Sequence, residues 1–180
     1  MPKKTKKELP FQRIEEISEA GEDIAHYKEE LYEREELKEE NQQLVIFRLA
    51  QEWYGVEISK VKEVIRVGKI TYLPSSPEYI TGIISLRGNI LSVTDLKTIF
   101  NLLHEEPSGK TRILAIESGV LETGFLVDEV VESIEVPVSK LEPALLTIPA
   151  EGAKYIVGQC QVGDKLIAII NVEKVLEREG

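Results

Sequence analysis

GIISLRGNILSVTDL, residues 82–96, is two apolar runs divided by Arg87, Gly88 and Asn89. A glycine–asparagine pair favours a tight turn with positive φ, and the ILSV beyond it alternates along a strand. The stretch therefore reads as a β-hairpin, with Arg87 at a strand end in or beside the turn. A turn on rigid strands can hold a guanidinium outward. Two readings of Arg87 stand at this point: an ordinary solvated or locally paired arginine, or a fixed fork for a partner's carboxylate or amide.

Outward from this hairpin the same grammar repeats. LVIFRL, TYL, YITGIISL, ILSVTDL, RILAIES, TGFLVDEV, ESIEV, YIVGQCQV and KLIAIIN are short runs rich in Val and Ile. Pro74, Ser75 to Pro77, Pro107 to Gly109, and Gly163 with Asp164 punctuate them. Helical segments are few: SKVKEVI, DLKTIFNLL with Asp95 as N-cap, and NVEKVLERE with Asn171 in the same role. Many closely spaced strands with so few helices predict a mainly β barrel or sandwich rather than alternating βαβ units. The runs 44–104 and 112–170 each hold about five strands, enough for two small barrels.

Residues 1–43 are different. They carry 13 acidic and 8 basic side chains, and Ile17, Ile24 and Leu31 recur every seven residues as a thin stripe. This segment reads as a charged, flexible or partly helical extension, with an amphipathic docking helix as the sharper alternative. The domain is expected over 44–180.

The whole chain has 180 residues and a formal net charge of −10, which argues against nucleic-acid binding because phosphate contacts need a positive face. A single cysteine excludes an internal disulfide and multi-cysteine metal sites. MPKKTKKELP lacks the apolar stretch of a secretory signal, and no run approaches the roughly 18 apolar residues of a membrane span. A cytoplasmic protein is expected, with no direct membrane insertion.

The motifs of catalysis are not evident. His26 and His104 form no supported pair, and no nucleophile elbow, dinucleotide turn or phosphate loop occurs. Cys160, in phase with Ile156, Gly158 and Val162, is expected to be a core thiol. Asp128 and Glu129 are adjacent on a strand and face opposite ways, so they cannot share one substrate atom. Trp53 and Tyr54 read as core or rim aromatics. The expectation is no enzyme, no metal and no cofactor.

Taken together, these segments resemble the CheW family of bacterial chemotaxis coupling proteins. LVIFRLAQEWYGVEISKVKEVI is similar to its opening, with an apolar strand and a Tyr-Gly hairpin. ITYLPSSPEYITGIISLRGNILSVTDL resembles its central signature of a proline pair, Leu-Arg-Gly and a closing Asp-Leu. TGFLVDEVVESIEV and YIVGQCQVGDKLIAIINVEKVL resemble its second half and final helix. The resemblance runs in order over about residues 44–178 and is far more specific than any single motif. It departs at Ser85, where the family usually has Asn, at Asn89, usually aliphatic, and at Ser92, usually Pro.

The resemblance implies two five-stranded SH3-like β-barrels packed together, and a scaffold without catalysis. Its partners would be the cytoplasmic tip of methyl-accepting chemotaxis receptors and the regulatory domain of a CheA-type histidine kinase. The receptor-binding face would include Val61 as an apolar contact, Glu63 as a polar rim group and Gly82 for tight backbone geometry. Leu86, Arg87 and Gly88 would form the cation-bearing loop. The alternative is a CheW-like adaptor or regulatory module of a related pathway controlling pili, gliding or another output. A free-standing barrel binding nucleic acid or a small ligand is disfavoured by the charge and by the lack of clustered basic and aromatic residues. A detached regulatory domain of a kinase would have to work in trans.

Overall fold

Alternating apolar and polar residues become ten strands in the computed structural model, which describes residues 40–144 and 150–179. They are β1 Asn41–Leu49, β2 Glu52–Glu57, β3 Val61–Arg66, β4 Ile80–Leu86, β5 Asn89–Asp95, β6 Arg112–Ser118, β7 Leu121–Val127, β8 Glu129–Pro137, β9 Ile156–Val162 and β10 Lys165–Ile170. Three short helices follow: α1 Leu96–Phe100, α2 Ala150–Ala153 and α3 Val172–Glu179. The charged stretch 1–39 lies outside the described residues. Residues 41–43, assigned above to the extension, are instead the first three of β1.

The strands form two five-stranded sheets, β8-β1-β2-β10-β9 and β3-β6-β7-β5-β4. Each curls shut in the same way. The chain leaving β3 bends back so that Thr71 and Ile83 on β4 exchange backbone bonds of 2.8 and 2.9 Å, and Glu142, beyond β8, does the same with Gln159 on β9 at 2.8 Å in both directions. Closure gives two small SH3-like barrels, and it demands glycine beside each bridge. A Cβ at Gly82 would lie 2.3 Å from the Thr71 carbonyl oxygen, and one at Gly158 2.8 Å from that of Glu142. Of TYL, only Thr71 pairs as a bridge; Tyr72 and Leu73 are exposed.

The barrels do not correspond to 44–104 and 112–170. Each half does supply five strands, but the first hairpin of each, β1–β2 or β6–β7, joins the other half's last three strands. The halves are interleaved because β2 and β7 are each extended by a parallel partner, β10 and β5, from the other half. The repeat is visible in the numbering: Tyr79, Gly82, Asp95 and Leu96 recur 76 positions later as Tyr155, Gly158, Asn171 and Val172. The backbone bonds recur with them, since Asp95 N donates to Tyr79 O and Asn171 N to Tyr155 O, both at 2.7 Å.

SKVKEVI is not a helix. Ile58–Lys60 is one 3-10 turn and β3 follows, with Val61, Glu63 and Ile65 half-buried and Lys62, Val64 and Arg66 exposed. A period of two won because β3 pairs along β6, which no local helix could replace. The other helices start as read: the Asp95 carboxylate accepts from Lys97 N at 2.9 Å, and the Asn171 side chain from Lys174 N at 3.1 Å.

The larger core lies between the barrels. Phe47, Leu49 and Tyr54 from one sheet meet Leu114, Ile116 and Phe125 from the other, capped by Val175 and Leu176 of α3. Tyr54 and Phe100 stack at 5.2 Å across this interface. A smaller cluster, Leu44, Ile46, Val136, Cys160, Ile167 and Ile169, fills the first barrel. Burial raises the Cys160 thiol's pKa, so this side chain is a core thiol rather than a reactive one.

Candidate functional site

The hairpin that opened the reading closes one residue earlier than its Gly–Asn pair suggested. Leu86 and Asn89 are the last strand pair, so Arg87 and Gly88 are the two turn residues, with φ of 51° and 85°. Two consecutive positive φ values match the right-handed twist of the flanking strands. Gly88 has open space around it, so it serves the backbone conformation alone. Arg87 holds the same conformation with a side chain, at a cost of about 1 kcal/mol.

The guanidinium is 77% exposed, yet one nitrogen is fixed: Nη2 stands 3.0 Å from Glu63 Oε2 on β3. β3 and β4 are the two ends of the sheet order, so the pair spans the seam of the second barrel. Beside it lies a cleft of about 90 Å³. Leu86, Ile90, Leu91, Ala115 and Ile116 give it an apolar lining; Arg87, Glu63, Lys62 and Glu122 give it charge. Roughly 300–1,000 Å³ is needed to enclose a small-molecule ligand, so this indentation suits a side chain of a macromolecule, not a metabolite.

The opposite rim is a charge network. Lys62 bonds Glu122 and stands 3.2 Å from Glu117. Its pKa is raised first by the bond to Glu122 and then by Glu117, while Lys62 holds Glu122 below the usual carboxylate range. Lys62 and Glu122 are thus both ionised at neutral pH, so the apolar lining lies between two charged rims.

Of the predicted residues, Glu63, Leu86 and Arg87 line the cleft together, with Gly88 in the turn beside them. Val61 is half-buried against the inter-barrel core, opposite Ile116. Gly82 is buried under Thr71 and reaches the cleft only through the strand it lets close. Sequence reading passed over Lys62, Glu122 and Ile90. The signal for Ile90 was present: alternation buries Leu91 and Val93, so an aliphatic residue in the opposite phase must face water, and it is 75% exposed.

Other candidates resolve as structure. Asp128 is buried and pairs with Lys97, whereas Glu129 faces out toward Arg48 and Lys110. His104 Nε2 lies 3.0 Å from the Asp95 carboxylate and 3.1 Å from the Thr98 hydroxyl. Trp53 is half-buried with the Lys165 ammonium 4.2 Å over its ring. Among the described residues, no group of three or more His, Cys, Asp or Glu is placed to hold a metal ion, and no helix is long and apolar enough to cross a membrane.

Comparison with known proteins identifies the family. A chemotaxis protein CheW of Bacillus subtilis is 30% identical over 139 residues, covering 77% of this chain and 89% of the relative. Protein FrzA of Myxococcus xanthus is 29% identical over 138 residues, covering 76% and 86%. The crystal structure of the scaffolding protein TtCheW from Thermoanaerobacter tengcongensis has 36% identity and a TM-score of 0.68, covering 74% of this chain and 86% of that one. The sequence pattern of the CheW-like domain matches residues 43–180, three quarters of the chain and every strand but the first two residues of β1, so this chain belongs to the CheW-like family of chemotaxis scaffold proteins.

Proposed function

We propose that this chain is a non-catalytic, cytoplasmic scaffold that couples chemoreceptors to a CheA-type histidine kinase. The receptor's cytoplasmic tip seats on the second barrel, over the cleft beside Arg87. The carrying observation is Arg87 itself: a cation on a two-residue turn, pinned by Glu63, at the edge of a cleft sized for a side chain. An exposed Ile90 with half-buried Leu86 beside a fixed guanidinium fits an amphipathic helix carrying a carboxylate. The kinase's regulatory domain binds elsewhere on the molecule. A second reading, an adaptor of a related pathway with another output, is favoured by Asn89, a polar cleft residue where the family resemblance expects an aliphatic one.

A pull-down from native lysate tests this, with the full chain as bait. Receptor and CheA-type kinase should be recovered together, and Arg87→Ala should lose the receptor while keeping the kinase. Recovery of neither from the wild-type chain contradicts the proposal. Recovery of a kinase with receptors of another output system supports the second reading.

A further inference from the structure

Two ion pairs tie the barrels together at positions related by the internal repeat, and their polarity is reversed. Lys97 is the second residue of α1 and Glu173, 76 positions later, the second of α3. Lys97 Nζ meets Asp128 Oδ1 at 2.5 Å, where the chain crosses from β7 in one sheet to β8 in the other. Glu173 Oε1 meets Lys60 Nζ, where the chain crosses from β2 to β3. Each pair also grips the hairpin of the opposite half. Ala50 N, in the β1–β2 turn, donates to Asp128 Oδ2 at 2.6 Å; Ser118 Oγ, at the end of β6, donates to Glu173 Oε1 at 3.0 Å.

The two joints differ in what surrounds them. Lys97 and Asp128 side chains are 5% and 10% exposed, so water and salt screen them little. Lys60 and Glu173 are 28% and 50% exposed. The 3-10 turn Ile58–Lys60 buries no residue of its own, so between Glu57 and Val61, which are held by strand pairing, the turn is tied across by this pair and by Lys60 Nζ donating to Ser118 Oγ at 3.2 Å. The helix end of the contact is firmly seated by Val175 and Leu176 in the core and by Tyr79 Oη donating to Arg178 O at 2.9 Å. The pair is therefore free to part on the Lys60 side.

We propose that Lys60, Glu173 and Ser118 form a releasable latch between the barrels, and that Lys97, Asp128 and Ala50 form the fixed pivot. Release frees the segment that leads into Val61, Lys62 and Glu63, so the latch sets the position of the strand that borders the cleft. Lys60 raised and Glu173 lowered in pKa, each foremost by the bond to the other, agree with a charged contact that is closed at neutral pH.

Amide hydrogen exchange on the full chain tests the latch without any partner. Val61 N, bonded to Ile58 O, reports the crossing, and Ala50 N reports the pivot. Raising salt from roughly 0.05 to 0.5 M should speed Val61 exchange by about three- to fivefold and leave Ala50 unchanged, since an exposed pair of this kind is worth at most about that factor. Glu173→Gln should speed Val61 equally and remove its salt dependence. The exchanged pair Lys60→Glu with Glu173→Lys should restore slow exchange. Val61 indifferent to both salt and Glu173→Gln, or Val61 and Ala50 accelerating together, would overturn the latch; so would a charge exchange that fails to restore protection.

Discussion

Arg87 and Glu63 meet at 3.0 Å although their strands are the two ends of one sheet. Their contact is a consequence of barrel closure, and closure depends on Gly82. The exposed pair itself adds about 0–1 kcal/mol, so its geometry matters more than its stability.

Replacing Arg87 should therefore separate folding from binding. Arg87→Gly removes a strained side-chain conformation of about 1 kcal/mol and an ion pair of similar or smaller worth. The variant should melt no lower than the parent by more than a few degrees. Its affinity for a receptor tip, read by calorimetry, should fall by about 2–5 kcal/mol, the usual effect of losing one partner of a desolvated charged contact. A large drop in melting with normal affinity would make Arg87 structural.

Three glycines should rank in a fixed order under chemical denaturation. Gly82→Ala forces a Cβ to 2.3 Å from a backbone oxygen at a positive φ and should cost more than about 4 kcal/mol. Gly158→Ala meets its backbone oxygen at 2.8 Å and should cost less. Gly88→Ala has open space and only a φ penalty, about 1 kcal/mol. Equal effects at 82 and 88 would contradict the closure account.

The Lys97–Asp128 pair should show the asymmetry of buried charges. Lys97→Met leaves the Asp128 carboxylate buried and unneutralised, at a cost of about 3–5 kcal/mol. Adding Asp128→Asn, whose side-chain oxygen can still accept from Ala50 N, should recover most of it. Urea unfolding of the single and double variants measures this; a double variant less stable than Lys97→Met alone contradicts it.

Glu173 carries a pH dependence whose sign is set. Its pKa is depressed below the ordinary carboxylate value, foremost by the bond from Lys60. Its stabilising contact is therefore complete above that ordinary value and is lost as pH falls through the depressed one. Carbon-13 NMR should show the Glu173 carboxyl titrating low in the parent chain and nearer the usual value in Lys60→Met. Identical midpoints would dismiss the contact.

Most strand positions, both N-caps and the core thiol were legible because each is local: alternation, an acceptor before a helix, a small apolar side chain in phase with its neighbours. The interleaving was not, because alternation fixes which face is buried but not which strand pairs alongside. β3 misled for a related reason. Val61, Val64 and Ile65 sit at helical spacing while Val61, Glu63 and Ile65 alternate, and only the partner strand decides between them. The cleft was half legible: Arg87 stood out at its turn, while Lys62 and Glu122 come together only through the β3–β6–β7 pairing. Trimming tests the boundary directly. A chain starting at Glu40 keeps the pairing of Asn41, Gln42 and Gln43 with β8 and the Val138 N bond to Glu40 O; one starting at Leu44 loses both. The shorter chain should melt several degrees lower, and equal midpoints would return those residues to the extension.

The most direct test of the coupling role is reconstitution of receptor tips, a CheA-type kinase and this chain on one template, reading kinase autophosphorylation. Receptor control of the kinase should require this chain and should be lost with Arg87→Ala although that variant stays folded. Receptor control that persists without the chain, or that Arg87→Ala leaves untouched, would contradict the account.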